Sequence, residues 1–230
     1  MASTQPFNDE GRARIAAAIT KAEAATSGEL FCIMTPAVSE YPETPIAWAA
    51  ATALLAPPIA LLAGADLLHL AGNGWSAGHV QAASAATAWA IGAYALSQAI
   101  LFAVVALATS WSPLKLAVTP AWLKRPRVER AARQHFISTG LAAAQDRTGV
   151  LIFAALAEHR VEIIAHKDIH AAVGDAVWKA AADAVVAGMK SSDPASGFVK
   201  AIEICGEALA LHFPRTGSET NDFPDALVEI

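Results

Sequence analysis

Between residues 45 and 111 the only formally charged side chain is Asp66. Two apolar blocks lie inside this stretch, 46–65 and 85–110, joined by a short polar connector. Each is about the ~20 residues that an α-helix needs to cross a ~30 Å hydrocarbon layer. In lipid the backbone must satisfy its own hydrogen bonds, so two spanning helices are the expected solution. Pro57-Pro58 near the middle of the first block predicts a kink, or alternatively a re-entrant hairpin turning at the prolines. Small residues on the second block, Ala88, Gly92, Ala93 and Ala99, would let the two helices approach closely, and Trp111 is placed as an interfacial anchor.

The flanks read differently. They carry the alternation of helix and strand signals expected of α/β protein, so the predicted class is α/β (α+β): a sheet of few strands packed between helices, split by an inserted two-helix transmembrane hairpin. The boundaries this implies are 1–44 and 113–214 for the two parts of the α/β domain, 45–112 for the hairpin and 215–230 for an acidic tail. Lys115, Lys124, Arg125, Arg127, Arg130 and Arg133 follow the second block, whereas the connector 66–84 has no Lys or Arg. By the positive-inside rule this places both long ends in the cytoplasm and the connector outside. The expected location is therefore a bacterial inner membrane, multi-pass, with the α/β domain on the cytoplasmic side. The same cations could equally form a basic helix face. Residues 1–27 lack the apolar core of a signal peptide. A formal net charge of -5 argues against nucleic acid as a partner. Cys32 and Cys205 sit in apolar contexts without CxxC spacing and read as buried free thiols.

Taken in order, Asn8 predicts the cap of a helix over 9–25 with Ile15, Ala18, Ile19 and Ala22 on its buried face. Residues 29–35 (ELFCIMT) form a near-continuous apolar strand, and 36–45 an extended lead. Pro126 predicts the start of a helix to about Gly140, with Val128, Ala132, Phe136 and Leu141 as core. A turn at Arg147-Thr148-Gly149 precedes strand 150–155. Glu158-His159 then connects it to strand 160–165 as an antiparallel hairpin. One helix over 170–190 and another beginning at Asp193-Pro194 complete the pattern. The tail ends in apolar Leu227, Val228 and Ile230, which can dock on the domain.

With these elements placed, the chain resembles the TPM-domain family, in particular its bacterial branch of membrane proteins. The residues that carry the resemblance are Thr26-Ser27-Gly28-Glu29-Leu30, the run from Arg147 to Phe153, Ala157 to Ile163, Val173 with Trp178, His212-Phe213-Pro214 and Asn221-Asp222-Phe223-Pro224-Asp225. The resemblance implies a sheet between helices and accessory roles in membrane assemblies, as in plant lumenal relatives and an animal receptor auxiliary subunit. It also implies an association with LemA-type membrane proteins, and a proposed phosphatase activity with calcium binding for some members. Those relatives hold the domain outside the cytoplasm, where the charges here place it inside. The branch is expected to carry Asp-Arg-Gly where this chain has His166-Lys167-Asp168.

Candidate chemistry is sparse. His166, Asp168, His170 and Asp175 are the densest set of potential metal ligands, for calcium or zinc if any ion is held, or else solvated loop residues with Asp168 as a cap. Glu158, His159, Arg160 and Glu162 could assemble acid/base or anion-binding groups at the hairpin, for a partner or an ion, or form a salt-bridged edge strand. Glu29 could face that hairpin. No GxSxG, HExxH, Walker A or GxGxxG pattern occurs, and no nucleophile has a base beside it. The expected role is a non-catalytic accessory or scaffold subunit of a membrane protein assembly, partnered by the lipid bilayer and a membrane protein. A metal-dependent phosphatase-like hydrolase is the alternative.

Overall fold

A computed structural model describes residues 7–63, 80–141, 149–215, 217 and 225–230; for 61, 80–90 and 112 it describes the backbone alone. The chain forms two compact units, one from Met1–Ser39 with Ala121–Ile230 and one from Glu40–Pro120.

The first unit is built on a four-stranded sheet. Its strands are β1 (Glu29–Thr35), β2 (Gly149–Ala155), β3 (Arg160–Ala165) and β4 (Leu227–Glu229), in the order β3-β2-β1-β4. β1 runs parallel to β2, with Glu29 opposite Gly149 and Thr35 opposite Ala155. β2 and β3 form the antiparallel hairpin expected from the short Glu158-His159 connection. The apolar tail goes further than docking: β4 pairs parallel with β1, and the Ile230 amide donates to the Met34 carbonyl at 3.1 Å.

The near-continuous apolar runs of β1 and β2 follow from burial on both faces. On one face Leu30, Cys32, Met34, Val150, Ile152 and Ala154 meet three helices, α1 (Asp9–Glu23), α7 (Asp175–Lys190) and α8 (Pro194–His212). On the other, Phe31, Ile33, Leu151, Phe153 and Ala155 meet Val128, Ala132 and Phe136 of α5 (Ala121–Ser138), with Leu141 beside them. Asn8 caps α1, its side-chain oxygen accepting from the Gly11 amide at 2.8 Å, and Asp193 caps α8 through the Ser196 amide at 3.0 Å. Each such cap satisfies one of the donors that a helix start leaves open.

Several boundaries move. α1 stops at Glu23 because buried Thr26 is taken by tertiary bonds, donating to the Phe213 carbonyl at 2.6 Å and accepting from the Gly28 amide. α5 begins a turn before Pro126, so the proline sits inside the helix rather than at its start, and has no N–H for the carbonyl four residues back. The expected helix over 170–190 is two helices, α6 (Lys167–Val173) and α7, broken at Gly174, whose φ of +85° cannot continue a helix. Arg147, Thr148 and residues 221–224 lie outside the described residues.

The second unit holds α2 (Glu43–Leu62), α3 (Val80–Ser110) and α4 (Ser112–Val118). α2 and α3 pack against each other. α2 starts earlier than 46, shortening the extended lead, and runs on through Pro57 and Pro58, so the alternative turn at the prolines is not formed. Gly92 has open space where a Cβ would stand, so it is not a point of close helix approach. Thr119 Oγ1 lies 3.1 Å from Thr44 Oγ1, and the Trp48 indole donates to the Val118 carbonyl at 3.1 Å. Together these bonds tie the two ends of the unit to each other. Trp111 is 74% exposed. Among the described residues, Ile91–Ser110 is long and apolar enough to cross a membrane, with a mean hydropathy of 2.0.

Candidate functional site

The hairpin residues separate according to strand geometry. Glu158 is 5% exposed, and its Oε1 accepts from the Val38 amide at 3.1 Å. The amides of Leu156 and Ala157 donate to Thr35 and Pro36 carbonyls, so the β2 end and the chain after β1 are zipped together with Glu158 as the clasp. That is a structural role. His159 is exposed at φ +49°, the left-handed position that the tight turn demands.

Arg160 and Glu162 alternate with Val161 and Ile163 along β3. Glu162 lies half-buried on the side covered by α5. Desolvation raises its pKa, Glu129 adds to the rise, and Arg125, Arg160 and Arg133 oppose it. The result is a mixed charge band of two carboxylates and three guanidinium groups across β3 and α5. The basic stretch was legible in the sequence, but that Glu162 would meet it was not, because the meeting depends on which helix covers β3.

His166, Asp168, His170 and Asp175 divide into two pairs. His166, rather than Asp168, caps α6: its Nδ1 accepts from the Asp168 amide at 3.4 Å and lies 3.6 Å from the Asp168 carboxylate. His170 Nε2 lies 3.0 Å from Asp175 Oδ1, across the Gly174 break, and its ring stacks on Trp178 at 6.3 Å. Among the described residues no three His, Cys, Asp or Glu side chains converge as a metal site would require. Among those residues the Trp178 indole nitrogen, buried beneath His170, has no hydrogen-bond partner.

Glu29 is not beside the hairpin. The parallel register puts it level with Gly149, at the opposite end of β2 from the turn. There it belongs to a second acidic group missed in the sequence. Burial pushes the Glu23 carboxyl up to about 8 despite a bond from the Leu30 amide, and the charges of Glu29 and Asp225 and a hydrogen bond with Asp225 add to the rise. Glu23 Oε1 accepts that amide at 2.8 Å, and the Thr20 hydroxyl donates to Asp225 at 2.6 Å. Only the return of the tail as β4 brings Asp225 here. Both thiols are buried, and desolvation raises the Cys32 pKa and pushes Cys205 up to about 12. Neither is suited to be a nucleophile.

With a sheet between helices and a hairpin whose turn is clasped to β1, residues 116–208 match the family model of the TPM domain. This chain carries a TPM domain. The matched stretch takes in α5, β2, β3, α6, α7 and most of α8, while α1, β1 and β4, which complete the same sheet unit, lie outside it. No curated protein matches the chain. The NMR structure of the BA42 protein from the psychrophilic bacterium Bizionia argentinensis is similar, with a TM-score of 0.55 at 17% identity over 100% of this chain and 99% of that one. At that identity the likeness speaks for the fold.

Proposed function

We propose that this chain is a membrane-anchored TPM protein of the bacterial inner membrane, with residues 40–120 as a two-helix anchor. Its TPM domain faces the cytoplasm as a non-catalytic docking subunit for a membrane protein partner, of the LemA type or in a larger assembly. The observation that carries this reading is the state of Ile91–Ser110. Its large apolar side chains Ile91, Leu96, Ile100, Val104 and Leu107 are exposed. Its polar ones bond within the helix instead: Ser97 to the Tyr94 carbonyl at 2.7 Å, Gln98 to the Tyr94 hydroxyl at 3.1 Å, Thr109 to Val105 and Ser110 to Ala106, both at 2.6 Å. A helix that exposes carbon and satisfies its own polar groups suits hydrocarbon rather than water.

Connectivity supports a second crossing. β1 precedes the helical unit and β2 follows it, yet the two are neighbours in one sheet. A single crossing would leave them on opposite sides of the bilayer. The 20 residues of α2 reach about 30 Å at 1.5 Å per residue, and its one charge, Glu43, is at its very start. Docking is preferred to hydrolysis because Glu158, His159, Arg160 and Glu162 bring no nucleophile with a base, and the His/Asp residues form separate pairs.

The test uses the full chain in intact cells. Ser76→Cys should react with an impermeant maleimide, and Gln134→Cys only after lysis; native Cys32 and Cys205 are buried and give no background. Labelling of Gln134→Cys without lysis would overturn the topology. A melting shift with added calcium or zinc, together with phosphoester turnover, both lost in Asp168→Ala, would replace the docking role with the hydrolase.

A further inference from the structure

Helix α5 seals one side against the sheet through Val128, Ala132 and Phe136 and leaves its other side open. It carries five Lys/Arg and one Glu, a formal +4, in a chain whose net charge is -5. At 100° per residue Trp122, Arg130, Arg133 and Ile137 fall within an arc of about 80°. All four are exposed, Trp122 by 74% and Ile137 by 68%. Arg133 reaches Glu129 at 2.8 Å, but both are surface groups whose pairing is weak in water. The strip thus has an aromatic at one end, an aliphatic at the other and guanidinium groups between them.

We infer that this face of α5 is a docking surface for anionic phospholipid, with Arg130 and Arg133 on headgroup phosphates and Trp122 and Ile137 in the interface. The inference rests on the membrane-anchored reading. Two further observations fit it. Guanidinium matches phosphate with paired donors, and a basic helix with a few large apolar groups is the form that lies on an anionic leaflet. Ten residues, 111–120, separate α5 from Ser110. They can span at most about 35 Å, so the start of α5 stays within reach of the leaflet that the cationic side of the anchor would occupy.

The experiment places the full chain in lipid nanodiscs, of phosphatidylcholine alone or with one third phosphatidylglycerol, with a nitroxide at Gln134→Cys and, separately, at Ile100→Cys. The Gln134 label should show a several-fold higher ratio of oxygen to aqueous nickel collisions in the anionic discs. Arg130→Gln with Arg133→Gln should return it to the phosphatidylcholine value, as should high salt. At about one surface charge each, the two substitutions are expected to weaken docking roughly 30-fold. A Gln134 label in water in both lipids while Ile100 is in hydrocarbon overturns lipid docking and leaves the anchor standing, the result an acidic protein partner would give. Equal depth in both lipids overturns the charge-based recognition. An Ile100 label in water overturns the anchor and the docking with it.

Discussion

Replacing Glu23 by Gln should stabilise the sheet unit at alkaline pH and leave it unchanged in acid. The wild-type carboxyl titrates at about 8 in the folded chain, against an ordinary 4.5, chiefly because burial disfavours its charge. A group whose folded pKa lies above its unfolded one gives stability that is complete below the unfolded value. That stability is lost as pH rises through the folded value. The window is therefore about pH 4.5 to 8. Undiscounted, such a difference is worth almost 5 kcal/mol at ~1.36 kcal/mol per pH unit, but Glu23 is only half-buried, so about 2 kcal/mol is expected after screening. Gln mimics the protonated acid: its carbonyl oxygen can keep the Leu30 amide and its NH2 can donate to Asp225. Melting of the full chain in detergent, followed by tryptophan fluorescence, should place Glu23→Gln roughly 4–8 °C above wild type at pH 8.5, and level with it at pH 4.5. A variant equal to wild type at pH 8.5, or less stable at both pH values, would refute the assignment of the buried proton to Glu23.

Gly188→Ala should cost about 2 kcal/mol or more in thermal melts, because a Cβ there would stand 2.6 Å from the Gly197 Cα where α7 and α8 cross. Replacing residues 40–120 by a flexible Gly/Ser linker should yield a folded soluble protein, since the loop adds little closure entropy, and Ile33→Asp in that shortened chain should unfold it by burying a charge. A folded, soluble Ile33→Asp protein by circular dichroism would contradict the shared sheet. Thiol titration of the native chain should find Cys32 and Cys205 unreactive at pH 8, with both appearing on denaturation.

Local chemistry made much of this fold legible. Asn8 and Asp193 announce helix starts because a side-chain oxygen three residues from an open amide acts within its own turn. The runs ELFCIMT and VLIFAA announce strands buried on both faces, and RVEIIA a half-covered one, because burial and side-chain alternation act along a few residues. The apolarity of 91–110 is likewise a property of twenty consecutive side chains. Gly174 was legible in principle, and the continuous apolar stripe of α7 concealed it.

The sites were less legible, since each depends on partners far apart in the chain. Arg160 and Glu162 were readable as a polar stripe on β3, but α5 decides that they meet Arg125, Glu129 and Arg133. The closeness of Glu158, His159, Arg160 and Glu162 along the chain suggested one cluster, and a buried bond to the Val38 amide removed Glu158 from it. Glu29 moved to the far end of the sheet because parallel pairing, unlike a hairpin, is not set by a turn in the sequence. Burial does most to raise the Glu23 carboxyl, and Glu29 and then Asp225, about 200 residues away and arriving beside β1 with β4, add to the rise. The sequence by itself determined where most helices and strands form and which stretch is apolar enough to cross a membrane, because those follow from neighbours in the chain. Only the tertiary structure decided which charges share a low-dielectric space, because desolvation and Coulomb energy depend on distances that long-range pairing sets.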